Sequence, residues 1–182
     1  ATCSRVYENY AMNAMLLLLV LAGSMPVTEL PPGDVTAEPC YASVVRLPFD
    51  ASACLSALEQ VTDDTPKARI SSALAVGYAK SGNLSLGDDE IGRALQLSGK
   101  DWHTLANAGV VDLYSLRFRE AHIHFTQAMQ LNRDYPLHLL LNRSLAARGL
   151  GQFEEAEADV AQYQRRYSQE TCDSAEARCK PA

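Results

Sequence analysis

The sequence predicts an all-α fold, a solenoid of three helix-turn-helix repeats with a capping helix at its N-terminal end. Two observations carry this. Across residues 102–135, apolar and small side chains recur at offsets of three and four, as two stripes parted by a turn. The same ordered pattern returns 34 residues earlier and 35 residues later. A length of 182 residues fits one domain, and an apolar fraction of 47% is ample for its core.

The central hairpin opens at Asp101, whose carboxylate can accept a backbone N–H of the first turn as an N-cap. Leu105, Ala108 and Gly109 follow on one face. Arg117 marks the turn, and Phe118, Ala121, Phe125, Ala128 and Leu131 form the second stripe. Gly109 and Ala121 leave room for two backbones to approach, while Phe118 and Phe125 fill the space around them. Helices this short need neighbours of the same kind to bury their faces. Those neighbours exist. Thirty-four residues back, Gly109, Phe118, Phe125, Ala128 and Leu131 become Ala75, Leu84, Ile91, Ala94 and Leu97. Thirty-five residues on, Leu105, Gly109, Phe118, Ala121, Phe125 and Ala128 become Leu140, Ser144, Phe153, Ala156, Val160 and Tyr163.

This period and small-and-large order resemble the tetratricopeptide repeat family, with repeats at residues 68–101, 102–135 and 137–170. The resemblance implies a right-handed solenoid that acts as a protein-interaction scaffold. It also implies that the first helix of each repeat lines a concave groove where a peptide binds. Carried over residue by residue, the groove positions are Arg69, Ser72 and Val76; His103, Asn107, Val110 and Tyr114; and His138, Asn142 and Leu145. An Asn amide offers both donor and acceptor, so Asn107 and Asn142 can hold a peptide backbone without reading its sequence. Family members that grip a terminal carboxylate add a Lys and Arg cluster; here only the two Asn fit, and Ala73 stands at the matching place in the first repeat. Other positions depart from the family pattern. Gly87 replaces the Ala seen at 121 and 156, at an expected cost of about 1 kcal/mol. Asp112 and Arg143 stand where apolar side chains are preferred, and the third repeat shifts by one residue at Pro136.

In chain order, residues 11–23 are uncharged and include the apolar run from Met15 to Gly23. Spanning a bilayer takes about 20 apolar residues, so this stretch suits the hydrophobic part of a secretory signal peptide at residues 1–24. Cleavage is expected after Ser24. The alternatives are an uncleaved membrane anchor and a buried helix. The chain does not begin with Met, so its start is expected upstream or at Met12. Removing residues 1–24 removes Cys3 and leaves Cys40, Cys54, Cys172 and Cys179, an even number that suits a periplasmic or secreted protein. Four cysteines allow three pairings; Cys40–Cys54 with Cys172–Cys179 is the most local. On a straight helix Cys172 and Cys179 stand about 10.5 Å apart, so pairing them requires the last helix to end or turn first.

Residues 25–49 read as a Pro-rich linker or wrapping arm, with an apolar piece at residues 41–48 that can lie on the first repeat. Residues 50–64 hold the capping helix. Asp50 starts it, Cys54, Leu55 and Leu58 form its stripe, and Asp63 and Asp64 break it. Thr65 and Pro66 open the first repeat as N-cap and first helical residue. Ile70, Leu74, Ala75 and Tyr78 are its buried stripe, and Gly82 ends the helix. Ser85 with Asp88 is expected to cap the second helix, which Gly99 ends. Pro136 opens the third repeat, Leu139, Leu140, Leu141 and Leu145 fill it, and Gly149 and Gly151 stop it. The closing helix runs from Phe153 to about Tyr167. Its outer face is acidic through Glu154, Glu155, Glu157 and Asp159, then basic at Arg165 and Arg166, in the order that suits the helix dipole. Residues 171–182 are a polar tail.

Little in the sequence asks for catalysis or a cofactor. His122 and His124 are two apart on a helix and point about 200° apart, so they cannot share an ion. His103 and His138 fall at equivalent repeat positions but bring no carboxylate or thiolate partner. There is no phosphate-binding Gly loop and no Gly-x-Ser-x-Gly elbow. A net charge of −6 with no basic patch argues against nucleic acid. The expected function is a non-enzymatic scaffold without metal or cofactor, binding a protein or peptide in the groove and holding no stable membrane span once its signal is removed. The rival readings are an assembly factor of a larger cell-envelope complex, working through its convex face or N-terminal arm, and an enzyme or redox protein.

Overall fold

The computed structural model describes residues 37–46 and 48–178, with side chains through residue 170. The expected signal peptide, residues 25–36 of the arm, the Cys172 side chain and Cys179 lie outside the described residues, and the Cys172–Cys179 pairing with them. Among the described residues the chain is helical and has no strand. The helices are α1 (Glu38–Val44), α2 (Ser52–Gln60), α3 (Asp64–Lys80), α4 (Leu84–Ser98), α5 (Trp102–Tyr114), α6 (Phe118–Leu131), α7 (His138–Gly149) and α8 (Phe153–Arg178). None of them is long and apolar enough to cross a membrane.

The arm turns helical at Glu38, where an extended linker was expected through Pro39. Proline lacks only an N–H that the first turn leaves unsatisfied anyway, so it starts α1 without penalty. Cys40, Tyr41 and Val44 are the buried residues of α1. The Cys40 and Cys54 sulfurs lie at disulfide distance, 2.07 Å, and tie α1 to α2. The N-cap position of α2 is Ala51, and Asp50, one residue before it, accepts the Ser52 N–H at 2.9 Å. The buried side of α2 is Cys54 and Ala57; Leu55, one residue round the helix, is 47% exposed.

Three other sequence expectations change. α3 begins at Asp64 with Asp63 in the N-cap position, and Thr65 and Pro66 fall within its first turn. The expected Ser85–Asp88 cap does not form: the helix already starts at Leu84, so Ser85 lies inside its first turn, and Arg117 takes Asp88 in a two-pronged ion pair at 2.9 and 2.6 Å. Such a charge-assisted fork is stronger than a neutral cap. The closing helix continues to Arg178 instead of ending near Tyr167. No Gly or Pro interrupts it, and Ser168 Oγ returns a 2.8 Å hydrogen bond to the Gln164 carbonyl.

α1 and α2 pack on each other and on α3. Beyond them α3 pairs with α4, α5 with α6 and α7 with α8. Each pair touches the next, through α3–α5, α4–α5, α6–α7 and α5–α7. The close approaches are phenylalanine rings seated on glycines. Phe125 is wholly buried against Gly109, where a Cβ would come within 2.7 Å of the ring. Phe118 lies on Gly149 and Phe49 on Gly77 in the same manner. Gly87 is also explained, since a Cβ there would meet the Ala75 carbonyl oxygen at 3.2 Å.

The two polar departures are explained by ion pairs. Asp112 accepts from Arg117 Nε at 2.9 Å and lies 2.7 Å from His124 Nδ1. Arg143 forks onto Asp159 at 2.8 and 2.6 Å. Asp159 is therefore an interior residue, not part of the acidic outer face. With Asp88 and Asp112 beside it, Arg117 is held more firmly protonated than a free guanidinium.

The glycines make opposite forecasts. Gly109→Ala should destabilise by about 1–3 kcal/mol through overpacking of Phe125. Phe125→Ala should cost about 3–5 kcal/mol. Gly92 lies in α4 with nothing within 4 Å of a new Cβ, and Gly92→Ala should stabilise by up to about 1 kcal/mol. Urea unfolding of the three variants measures all of these, and a neutral Gly109→Ala would contradict the close α5–α6 contact.

Candidate functional site

Helix α5 is buried along its length, from His103 to Leu113. Gly109 and Asp112 face α6, through Phe125 and His124. At 100° per residue, His103, Asn107, Val110 and Tyr114 fall on the opposite side. This inner side runs between α3 and α7, which both touch α5 but make no substantial contact with each other.

On this side the structure closes Ser72, Val76, Asn107, Val110 and Asn142 off from solvent and leaves His103 nearly so. Arg69, Tyr114, His138 and Leu145 are partly buried. The side is thus an enclosed seam rather than the open groove that the sequence reading implied. The α3 and α5 members are brought together. Asn107 Nδ2 donates to Ser72 Oγ at 2.9 Å, and Ser72 Oγ donates to the Arg69 carbonyl at 2.8 Å. The Arg69 guanidinium meets Asp101 at 3.1 and 2.6 Å, and Asp101 also receives the Thr104 N–H at 3.0 Å as the N-cap of α5. His103 Nδ1 stands 3.6 Å from Asp101 Oδ1, and the Trp102 ring stacks on its imidazole with centroids 3.6 Å apart. Burial alone would raise the Asp101 pKa. His103, Arg69 and the Thr104 N–H outweigh it and hold the carboxyl well below the usual range.

The α7 members have no such partners. Asn142 Nδ2 and His138 Nε2 are buried and make no hydrogen bond. Asn107 Nδ2 has the Ser72 hydroxyl as its acceptor, whereas Asn142 Nδ2 has none. Burial pushes the His138 pKa down to about 4, so its imidazole is neutral at physiological pH. A buried polar atom without a partner costs about 1–3 kcal/mol.

Asp101 is the functional neighbour that the sequence reading missed. It reads there only as a helix cap, yet it neutralises Arg69 and removes it as a free anchor for a ligand carboxylate. Its position beside His103, one repeat on from Arg69, was the available signal. His122 and His124 diverge as the helical spacing requires, His122 to Glu155 at 2.9 Å and His124 to Asp112. Among the described residues no three His, Cys, Asp or Glu side chains converge as a metal site would need. Comparison with protein-family models, with curated proteins and with solved structures finds no match for the chain.

His138 supplies a pH prediction. Its folded-state pKa of about 4 lies below the unfolded value near 6.5, so the unfolded chain binds more protons between them. The contribution of His138 is fully present above the unfolded value and is lost as pH falls through the folded one, by up to about 3 kcal/mol. NMR titration should find the imidazole still neutral at pH 5, and His138→Gln should flatten the fall in stability over that window. Titration near 6.5 would put the ring in solvent.

Proposed function

We propose that this protein is a non-enzymatic interaction module, a three-repeat solenoid of tetratricopeptide type whose inner face takes an extended peptide. The observation that carries the reading is the pair of buried, unpartnered polar atoms, Asn142 Nδ2 and His138 Nε2, on one turn of α7. A peptide backbone offers carbonyl acceptors at a spacing that does not depend on side chains. The Arg69–Asp101 pair leaves that end of the face without net charge, which favours a neutral segment over a carboxylate terminus. The regular succession of helix pairs and their glycine–aromatic contacts supports the repeat reading.

Export goes with this function. The Cys40–Cys54 pair at disulfide distance favours an oxidising compartment. Protein isolated from its native host should have an intact mass matching a chain that begins near Met25, lighter by two hydrogens for each disulfide than after reduction. A full-length, fully reduced chain would overturn export.

A second reading, end-on assembly into a larger complex, is favoured by one observation. Phe118 is covered by α7, but Phe153, at the same place in the next pair, is 60% exposed, with Tyr167 exposed further along α8.

Binding is tested by selecting peptides on the purified protein from a random display library. Asn142→Ala should weaken a selected peptide roughly tenfold with little change in stability, because no hydrogen bond of the free protein is lost. Asn107→Ala should instead cost about 1 kcal/mol of stability, through the lost bond to Ser72. Unchanged affinity in both variants would refute the inner-face reading.

A further inference from the structure

Helix α8 carries charges that neither its own dipole nor its neighbours account for. Arg165 is the thirteenth of its 26 residues. Because the helix runs on to Arg178, Arg165 stands far from the last turn, where a basic side chain would complement the dipole. Arg166 has a role, stacked over Tyr135 and reaching Glu170. Arg165, Glu154 and Glu157 are exposed and form no ion pair among the described residues. Glu157 and Arg165 are two turns apart, about 12 Å along the axis, so they cannot meet on their own helix.

At 100° per residue, Glu154, Glu157, Ala158, Ala161 and Arg165 form one stripe on the side of α8 opposite the buried Asp159. Ala161 lies at its middle. Turned end for end about Ala161, the stripe is its own complement. A second α8 laid antiparallel on the first sets Arg165 of each copy beside Glu157 of the other, with Glu154 one turn further along. Ala158 and Ala161 put only small side chains at the centre, which lets the two axes approach to about 8 Å. The same arrangement brings Phe153 of one copy alongside Tyr167 of the other, and both rings are exposed in the single chain.

Helix length points the same way. α8 is about 39 Å long and α7 about 18 Å, so the C-terminal part of α8 extends past its hairpin partner. In the antiparallel pair that extension runs along the start of α8 in the other copy, past the exposed Leu150 and Phe153. The opposite end of the stack has no such vacancy, because α1 and α2 already pack on α3 there.

We propose that the outer face of α8 is a self-association surface, on which a second copy of this chain packs antiparallel about a two-fold axis at Ala161. The contact is isologous and closes after two copies. The proposal rests on the end-on reading above, to which it gives a partner, and is independent of peptide binding at the inner face.

Sedimentation equilibrium of the full chain should give twice the mass of one chain, with dissociation promoted by dilution and by salt. Glu157→Arg and Arg165→Glu, each shown to be folded by circular dichroism, should each weaken the dimer at least about tenfold, since symmetry places two like-charge contacts in either variant. An equimolar mixture of the two should form a dimer with one copy of each, because every contact then joins opposite charges again. The chain carrying both substitutions should dimerise for the same reason. A monomeric unaltered chain overturns the proposal while leaving end-on contact with a different protein standing, so the two failures are distinguishable. A dimer that both single variants retain at full strength, or variants that stay monomeric when mixed, would also overturn it. Oligomers that keep growing with concentration would show head-to-tail contact and overturn the two-fold arrangement.

Discussion

The contact between the Phe125 ring and the bare backbone of Gly109 sets the distance between α5 and α6. The inner face depends on that distance. A helix that accepts an aromatic ring at its backbone sits close to its partner, and both helices then act as one thick wall. Phe118 on Gly149 and Phe49 on Gly77 repeat the device at the next pair and at the N-terminal end. The contacts are directional as well as apolar. A ring on a glycine leaves little freedom for one helix to roll against another, so each phenylalanine fixes which residues its neighbour turns inward. Asn107 lies opposite Gly109 on α5 for this reason.

Ion pairs then join helices within and between the pairs where apolar packing alone would allow slippage. Arg117 connects the start of α6 to Asp88 on α4 and to Asp112 on α5. Arg143 and Asp159 hold α7 to α8, and His122 reaches Glu155 from α6 to α8. Near the end of the described chain, Arg166 stacks over the Tyr135 ring at 4.8 Å and donates to its carbonyl, while Gln162 donates to its hydroxyl at 2.8 Å. Removing one member of the more enclosed pairs leaves a charge without its partner, which costs more than the pair contributes. Such pairs serve registry, and registry keeps Asn107 beside Ser72.

The helical elements were legible because their signals are local. Spacing of three and four, Asp101 before α5, and Gly82 and Gly151 after α3 and α7 act within a few residues. The misses were contests between neighbours in space. Asp88 reads as a cap in sequence, but Arg117, 29 positions on, takes it. Asp159 reads as surface charge until Arg143 is packed beside it. Pro39 reads as a linker residue, yet it lies in the first turn of α1, which tolerates it. Of the site, the sequence identified the residues on the inner side but not their enclosure. Helical phase is periodic and can be counted, whereas burial depends on what lies over a face. Nor could it show that Asn107 and Asn142, alike in sequence position, differ in hydrogen bonding, since that depends on what each amide meets across the helices.

In the proposed reading, a face with its charge cancelled internally and with Asn142 Nδ2 and His138 Nε2 buried without partners suits a ligand recognised by its backbone, with the decisive atoms on α7. The most direct measurement is an NMR titration of isotopically labelled protein with a selected peptide, following the Asn142 side-chain amide and the His138 imidazole. Peptide binding on the inner face predicts that these two signals move first and furthest, with the α4 and α6 residues on the opposite side unmoved. Shifts confined to α8 around Phe153 and Tyr167, with Asn142 and His138 unchanged, would contradict it and place recognition at the end of the helix stack.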